Sequence, residues 1–243
     1  HTYVTTVDVA RGVNNDYSAF IVFDATQAPY KIVAKYRNND IKPIVFPNML
    51  KKVGDHYNKA YCLIEINDLG QQVADAMQFE LEYDNMMMVT QRGRAGQVLG
   101  GGFSGRGNQL GLRMTKGTKK IGTSNLKSLI EGDKLIVQDF DIIAELSTFI
   151  SRGKSFEAEQ GAHDDLVMCL VIFSWCANQR YFKELTNVDV RGQMFTEQQN
   201  AIEADMAPFG FIDDGLNDPD GNNNSFFDDA GVLWSPVTYR KGE

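Results

Sequence analysis

Three acidic positions stand in surroundings that disfavour charge. Asp8 lies inside the strand-like run Tyr3-Val4-Thr5-Thr6-Val7-Asp8-Val9-Ala10, and Glu65 lies inside Tyr61-Cys62-Leu63-Ile64-Glu65-Ile66. The pair Asp164-Asp165 opens the apolar stretch Leu166-Val167-Met168-Cys169-Leu170-Val171-Ile172-Phe173. A carboxylate among apolar side chains is costly unless a cation or hydrogen-bond donors compensate it. Three sites of one chemical type point to a carboxylate cage for a hard divalent cation. All-oxygen ligands with few imidazoles favour Mg²⁺, with Mn²⁺ as a substitute, over zinc. Two such ions held about 3.5–4 Å apart hydrolyse phosphodiesters. Taken singly, each acid reads as a salt-bridged or capping residue. Asp164 can be the N-cap of its helix, with Asp165 favoured by the helix dipole. His163 reads as a supporting or capping-region group. Asp16 reads as a turn residue that can reach the site as an outer ligand.

The elements that must bring these acids together are legible from periodicity. Tyr3–Ala10, Ser18–Asp24 and Tyr30–Tyr36 read as three strands of an antiparallel meander. Ile44–Tyr57 has helical spacing, and Tyr61–Ile66 reads as a central parallel strand covered on both faces. Asn67-Asp68 can cap a helix from Leu69 to about Glu82. Met86–Thr90 reads as a strand, 92–107 as a Gly/Arg-rich mobile loop, and Asn125–Glu131 as a helix capped by Thr123 or Ser124. Lys134–Gln138 follows as a strand, Phe140–Ile150 as a helix, Phe156–Glu159 as an edge strand and Asp164–Gln179 as the last helix. The expected fold class is α/β: a mixed sheet, meander first and parallel strands after, with helices on both faces. Strand one and the strand after the first long helix can then lie side by side, joining Asp8 to Glu65, with Asp165 or Asp164 closing the site.

Charge is segregated. Residues 184–243 carry 12 Asp and Glu against 3 Lys and Arg, and the first 183 are near neutral. The expected division is a domain over 1–183 and an acidic, partly irregular extension over 184–243. Between Asp84 and Glu131 there is no acid, while Arg92, Arg94, Arg106, Arg113, Lys116, Lys119, Lys120 and Lys127 accumulate. Such a block attracts a polyanion, unless it is an ordinary solvated surface. Carboxylate cage and basic strip together say metal-dependent nuclease. The glycines of 93–107 lack a following Gly-Lys-[Ser/Thr], so no ATP site is expected. Cys62, Cys169 and Cys176 lie in apolar segments, as in a reducing compartment. No apolar run approaches the roughly 20 residues that span a bilayer, so no membrane partner is expected.

The motifs Val-Asp-Val-Ala-Arg-Gly (7–12) with Asp16, Leu-Ile-Glu-Ile-Asn (63–67) and Gly-Ala-His-Asp-Asp-Leu-Val-Met (161–168) resemble the nuclease domain of tailed-bacteriophage large terminases, the T-even-like type above all. The resemblance covers most of 1–180. It implies an RNase H-like fold and a Mg²⁺-dependent endonuclease that cuts concatemeric double-stranded viral DNA at the start and end of headful packaging. Carried over by residue, the catalytic and metal-binding acids are Asp8, Glu65 and Asp165, with Asp164 and Asp16 as further ligand candidates. Gly12 and His163 support them, and Arg11 joins the basic strip in holding DNA. The resemblance further implies an ATPase half preceding this chain, a portal ring and a small terminase subunit as partners. It also implies a location at the prohead portal in the host-cell cytoplasm, outside the mature virion. Two alternatives stay open: another RNase H-like enzyme, a junction resolvase or transposase, and a non-catalytic domain that grips DNA or docks on a portal.

Overall fold

The computed structural model describes residues 1–10, 17–92, 96–100, 108–153, 155–186, 226–227 and 233–234. Three consecutive strands, β1 (Tyr3–Asp8), β2 (Ser18–Asp24) and β3 (Tyr30–Asn38), the first two largely buried, form the expected antiparallel meander. After α1 (Phe46–His56), the short strand β4 (Tyr61–Ile64) returns to pair in parallel with β1. The strand β8 (Leu135–Ile136) adds in parallel to the other edge, giving the order β4-β1-β2-β3-β8. The mixed character and the β1–β4 adjacency are as expected from the sequence.

Alternation decides which face each residue takes. Val7, Val22, Cys62 and Ile64 face α1 and the helix α2 (Gly70–Asp75), which continues as a π-helical turn over Ala76–Glu80. Val4, Ile21, Phe23 and Leu63 face the helix α5 (Asp165–Ala177). A helix with no polar stripe has to be covered all round. Every residue of α5 from Leu166 to Ala177 is buried between the sheet and the helix α3 (Lys116–Glu131). Phe23 stacks on Phe173 with ring centroids 3.8 Å apart. Gly122 lets α3 approach closely, since a Cβ there would meet the Val171 carbonyl oxygen at 2.7 Å.

Several elements differ from the sequence expectation. The helix expected from Asn125 begins nine residues earlier, because Thr115 rather than Thr123 or Ser124 caps it, accepting from Thr118 N at 3.1 Å. Part of the expected loop 92–107 is the strand β6 (Gly96–Gly100), which pairs with β5 (Met88–Arg92); β7 (Asn108–Leu110) pairs on the other side of β5. Backbone pairing with β5 overrides the weak strand propensity of glycine. The helix α4 (Phe140–Thr148) stops before Ile150. The chain turns into a hairpin of β9 (Phe149–Arg152) with β10 (Ser155–Ala158). A further helix, α6 (Arg180–Thr186), follows α5. Asn67 does not cap α2. Its amide exchanges hydrogen bonds with the Met114 backbone, at 2.9 Å to the carbonyl and 3.1 Å from the N–H, so the turn after β4 is tied to the start of α3. The chain divides into two compact units, 1–195 and 196–243; within the second, Phe226–Phe227 pairs antiparallel with Leu233–Trp234. No helix among the described residues is long and apolar enough to cross a membrane.

Candidate metal centre

The pairing of β1 with β4 ends at Val7 opposite Ile64, and Glu65 N–H then donates to the Val7 carbonyl at 2.9 Å. Asp8 and Glu65 therefore leave the sheet side by side, at the carboxyl ends of two parallel strands, where open α/β sheets place their ligands. Both belong to the face that meets α5. Asp8 is two residues beyond Thr6, whose hydroxyl donates to the Cys169 carbonyl at 2.9 Å and fixes α5 against β1. Glu65 is two residues beyond Leu63, which packs in the same cluster as α5.

The start of α5 supplies the third acid. Asp164 occupies the N-cap position, but its side chain makes no capping hydrogen bond. It points to the Lys119 ammonium, 3.4 Å away. The cap comes from another element. Glu145 of α4 accepts from Leu166 N–H at 2.8 Å and Val167 N–H at 3.2 Å through one oxygen, and binds the Arg37 guanidinium of β3 through the other. Arg37 also lies over the Tyr17 ring, 4.9 Å from its centroid. The Tyr17 backbone N–H lies close enough to favour the charged form of Asp165, and the Tyr17 ring packs edge-on against His163 at 4.9 Å. His163 Nδ1 stands 3.9 Å from Asp165 Oδ2. That oxygen is buried with no hydrogen-bond partner.

The acids feel one another. Burial raises Asp8 well above the usual carboxylate range, and the charges of Glu65, Asp165 and Asp164 raise it further, against Lys119. Burial pushes Glu65 up to about 7; Lys119 opposes this, while Asp164 and Asp68 add to it. Burial, then the charge of Glu145, raises Asp165 to about 6, with His163 and the Tyr17 N–H pulling the other way. In the unfolded chain these two acids titrate at 4.5 and 3.8, so between there and neutrality the folded state holds more protons. Stability linked to them therefore falls as pH rises through that window. Thermal unfolding in EDTA is expected to show a melting temperature that declines by several degrees between about pH 4 and pH 7, and less in Asp8→Asn. A melting temperature that climbs through this range in both proteins would contradict the buried cluster.

These observations fit a hard divalent cation. The donors are carboxylate oxygens, their mutual repulsion asks for positive charge, and Asp165 Oδ2 is buried without a partner. Among the described residues no three acids, imidazoles or thiols are gathered tightly enough as placed to hold one ion at once. The side chains must therefore close in on any ion they bind.

The structure brings together Asp8, Glu65, Asp164 and Asp165, with His163 beside the last. Arg11, Gly12, Asp16, Arg94 and Arg106, and the side chain of Arg92, lie outside the described residues. Arg113, Lys116 and Lys120 are exposed around the start of α3, whereas Lys127 is ion-paired with Glu131 one turn from that helix's end. Lys119 differs from its neighbours: it is turned inward, 18% exposed, with its ammonium 5.5 Å from the Phe149 ring centroid. Sequence reasoning passed over Glu145, Arg37 and Tyr17. Glu145 carried a signal, since it shares the apolar face of α4 with Ile142 and Phe149, the same anomaly that marks Asp8 and Glu65.

Comparison with known proteins bears on the fold and the family. The large terminase nuclease from thermophilic phage G20c, determined with bound magnesium, superposes with a TM-score of 0.53 at 23% identity, covering 72% of this chain and 80% of that one. The nuclease domain of the Thermus phage P74-26 large terminase gives 0.51 at 24% identity, covering 73% and 80%. The G20c nuclease with bound cobalt gives 0.53 at 22%, covering 72% and 80%. At these identities the likeness is one of fold, and the fold is RNase H-like. The sequence pattern described as "Terminase RNaseH-like domain" matches residues 5–173, a stretch that carries all four acids of the site, and the chain belongs to that family.

Proposed function

We propose that this chain is the metal-dependent endonuclease of a viral genome-packaging terminase. The observation that carries the proposal is the convergence of Asp8, Glu65 and Asp165 at the carboxyl ends of β1 and β4, with one oxygen of Asp165 buried and unsatisfied. Asp8, Glu65 and Asp165 are the ligands of choice, with Asp164 as a fourth donor once it lets go of Lys119. Bound there, divalent ions would activate water and offset the charge that builds up on a phosphodiester under attack. Mg²⁺ is the expected ion, and the bound magnesium and cobalt of the G20c relative support a divalent cation in this fold.

The protein's own contribution is orientation. Thr6 ties α5 to β1 at Cys169, Glu145 caps the first turn of α5, and the Tyr17 N–H and His163 lie beside the Asp165 carboxylate and favour its charge. Arg113, Lys116 and Lys120 project from the start of α3 into solvent, where they can take phosphates flanking the reacting one. The substrate is double-stranded viral DNA, cut at the start and end of headful packaging. The partners in this reading are an ATPase half of the same protein, the portal ring and the small terminase subunit, at the prohead in the host cytoplasm. The deciding experiment incubates the purified chain with supercoiled plasmid in Mg²⁺, in Mn²⁺ and in EDTA. Linear and shortened products in the metals alone are expected. An intact plasmid under every metal, also when the ATPase half is added, would overturn the proposal.

A further inference from the structure

We infer that Lys119 is a resident counter-cation of the acidic site: a divalent ion enters by displacing its ammonium from Asp164, and the freed ammonium then serves the DNA phosphate. Lys119 is a described cation whose charge favours the ionised form of both Asp8 and Glu65, and it makes its ion pair with Asp164. It is 18% exposed, while Lys116 and Lys120 of the same helix turn are exposed. Its position is built in. Asn67, two residues after Glu65, clamps the Met114 backbone; Thr115 caps α3; and Lys119 follows one turn later, with its own N–H on the Thr115 carbonyl at 2.8 Å. The register of Lys119 is thus set from the strand that carries Glu65.

The pairing with Asp164 is long, at 3.4 Å, and the Lys119 side chain has four rotatable bonds, so the contact can break without moving α3. A monovalent ammonium is outcompeted by a dication at a group of carboxylates, but having to displace it raises the metal concentration at which the site fills. Once displaced it stays within reach of the same acids, where a phosphodiester held at the site would bring negative charge. Lys119 therefore works against metal binding and for cleavage, two effects of opposite sign on one residue. A lysine that only packs, or only adds to the surface potential, gives no such pair.

This inference rests on the metal reading of the site, and the test separates the two. Mn²⁺ affinity is measured by titration calorimetry at about pH 8 without DNA, and plasmid cleavage is measured separately at saturating Mn²⁺. The proteins are the wild type, Lys119→Met, Lys119→Gln and, as surface controls, Lys116→Met and Lys120→Met. Both Lys119 variants are expected to bind Mn²⁺ several-fold more tightly, to melt lower than wild type in EDTA, and to cleave at least tenfold more slowly. The two controls should bind Mn²⁺ as the wild type does. Equal or weaker Mn²⁺ binding in both folded Lys119 variants, or wild-type cleavage, would overturn the role of Lys119 and leave the metal site standing. No Mn²⁺ binding by the wild type or any variant would overturn the metal site and the role of Lys119 with it.

Discussion

Asp8→Asn is expected to abolish metal-dependent cleavage and at the same time to make the metal-free protein more stable. Asp8 is central to the cluster: burial and then Glu65, Asp165 and Asp164 all work against its charge. An amide removes one ligand and one negative charge without changing the size of the side chain. A metal centre supplies several kcal/mol of transition-state stabilisation, and each ~1.4 kcal/mol is a factor of ten. A loss of roughly 10³-fold or more in cleavage rate follows. In EDTA at neutral pH the same change relieves a buried charge repelled by its neighbours. Relief worth about one pKa unit is about 1.4 kcal/mol, so the melting temperature should rise by ~3–6 °C in a domain of this size. Added Mg²⁺ should raise the melting temperature of the wild type and do little for the variant. A folded variant that still cuts would show that Asp8 serves structure alone.

Glu145→Ala is expected to be the most destabilising single change near the site. Glu145 is 5% exposed, and its two oxygens satisfy the Leu166 and Val167 N–H groups and the Arg37 guanidinium. Truncation leaves the two helix N–H groups without an acceptor, while Arg37, which is exposed, can turn to water. Orphaning buried donors costs about 1–3 kcal/mol each, a fall of roughly 5–10 °C in melting temperature. Glu145→Gln keeps an acceptor for the helix N–H groups and should recover part of that loss. It also removes the charge that, after burial, does most to raise Asp165. The glutamine variant should accordingly cleave at a lower pH than the wild type, with the acid limb of its pH–rate profile displaced downward. Equal melting temperatures for wild type, Ala and Gln would show that Glu145 holds nothing in place.

The parts of the site that sequence reasoning reached are those where a charge interrupts an apolar pattern. Asp8 and Glu65 stood out because strands of period two leave no room for an unexplained carboxylate. Their adjacency followed from the order of elements, and β1 does pair with β4 in the required register. The pair Asp164-Asp165 stood out because it opens an apolar helix that must be buried with its first turn, and the family resemblance favoured Asp165 of the two. What escaped depended on partners distant in the chain. The reach of α3 back to Lys116 is set by a Thr115 cap and by packing on α5, against two glycines within the helix. The strands β6 and β7 exist because β5 offers them edges, and their composition reads as loop. Asp164 looked like a self-capping residue. The cap is Glu145, 19 residues earlier, and no local pattern predicts a carboxylate that closes a helix other than its own. The inward turn of Lys119 was hidden among neighbours of the same type that face solvent.

The burial of α5 between the sheet and α3 also has a consequence in time. Two of the three acids lie within the first 65 residues, but the third begins a helix that needs its full length to Ala177 before it can seat against Val4, Ile21 and Phe23. During synthesis at about 5–20 residues per second, a nascent chain spends several seconds or more with Asp8 and Glu65 made and no third carboxylate to complete the set. If the proposed nuclease is right, the nascent chain cannot cut until α5 is made, since among the described elements that helix brings the third carboxylate.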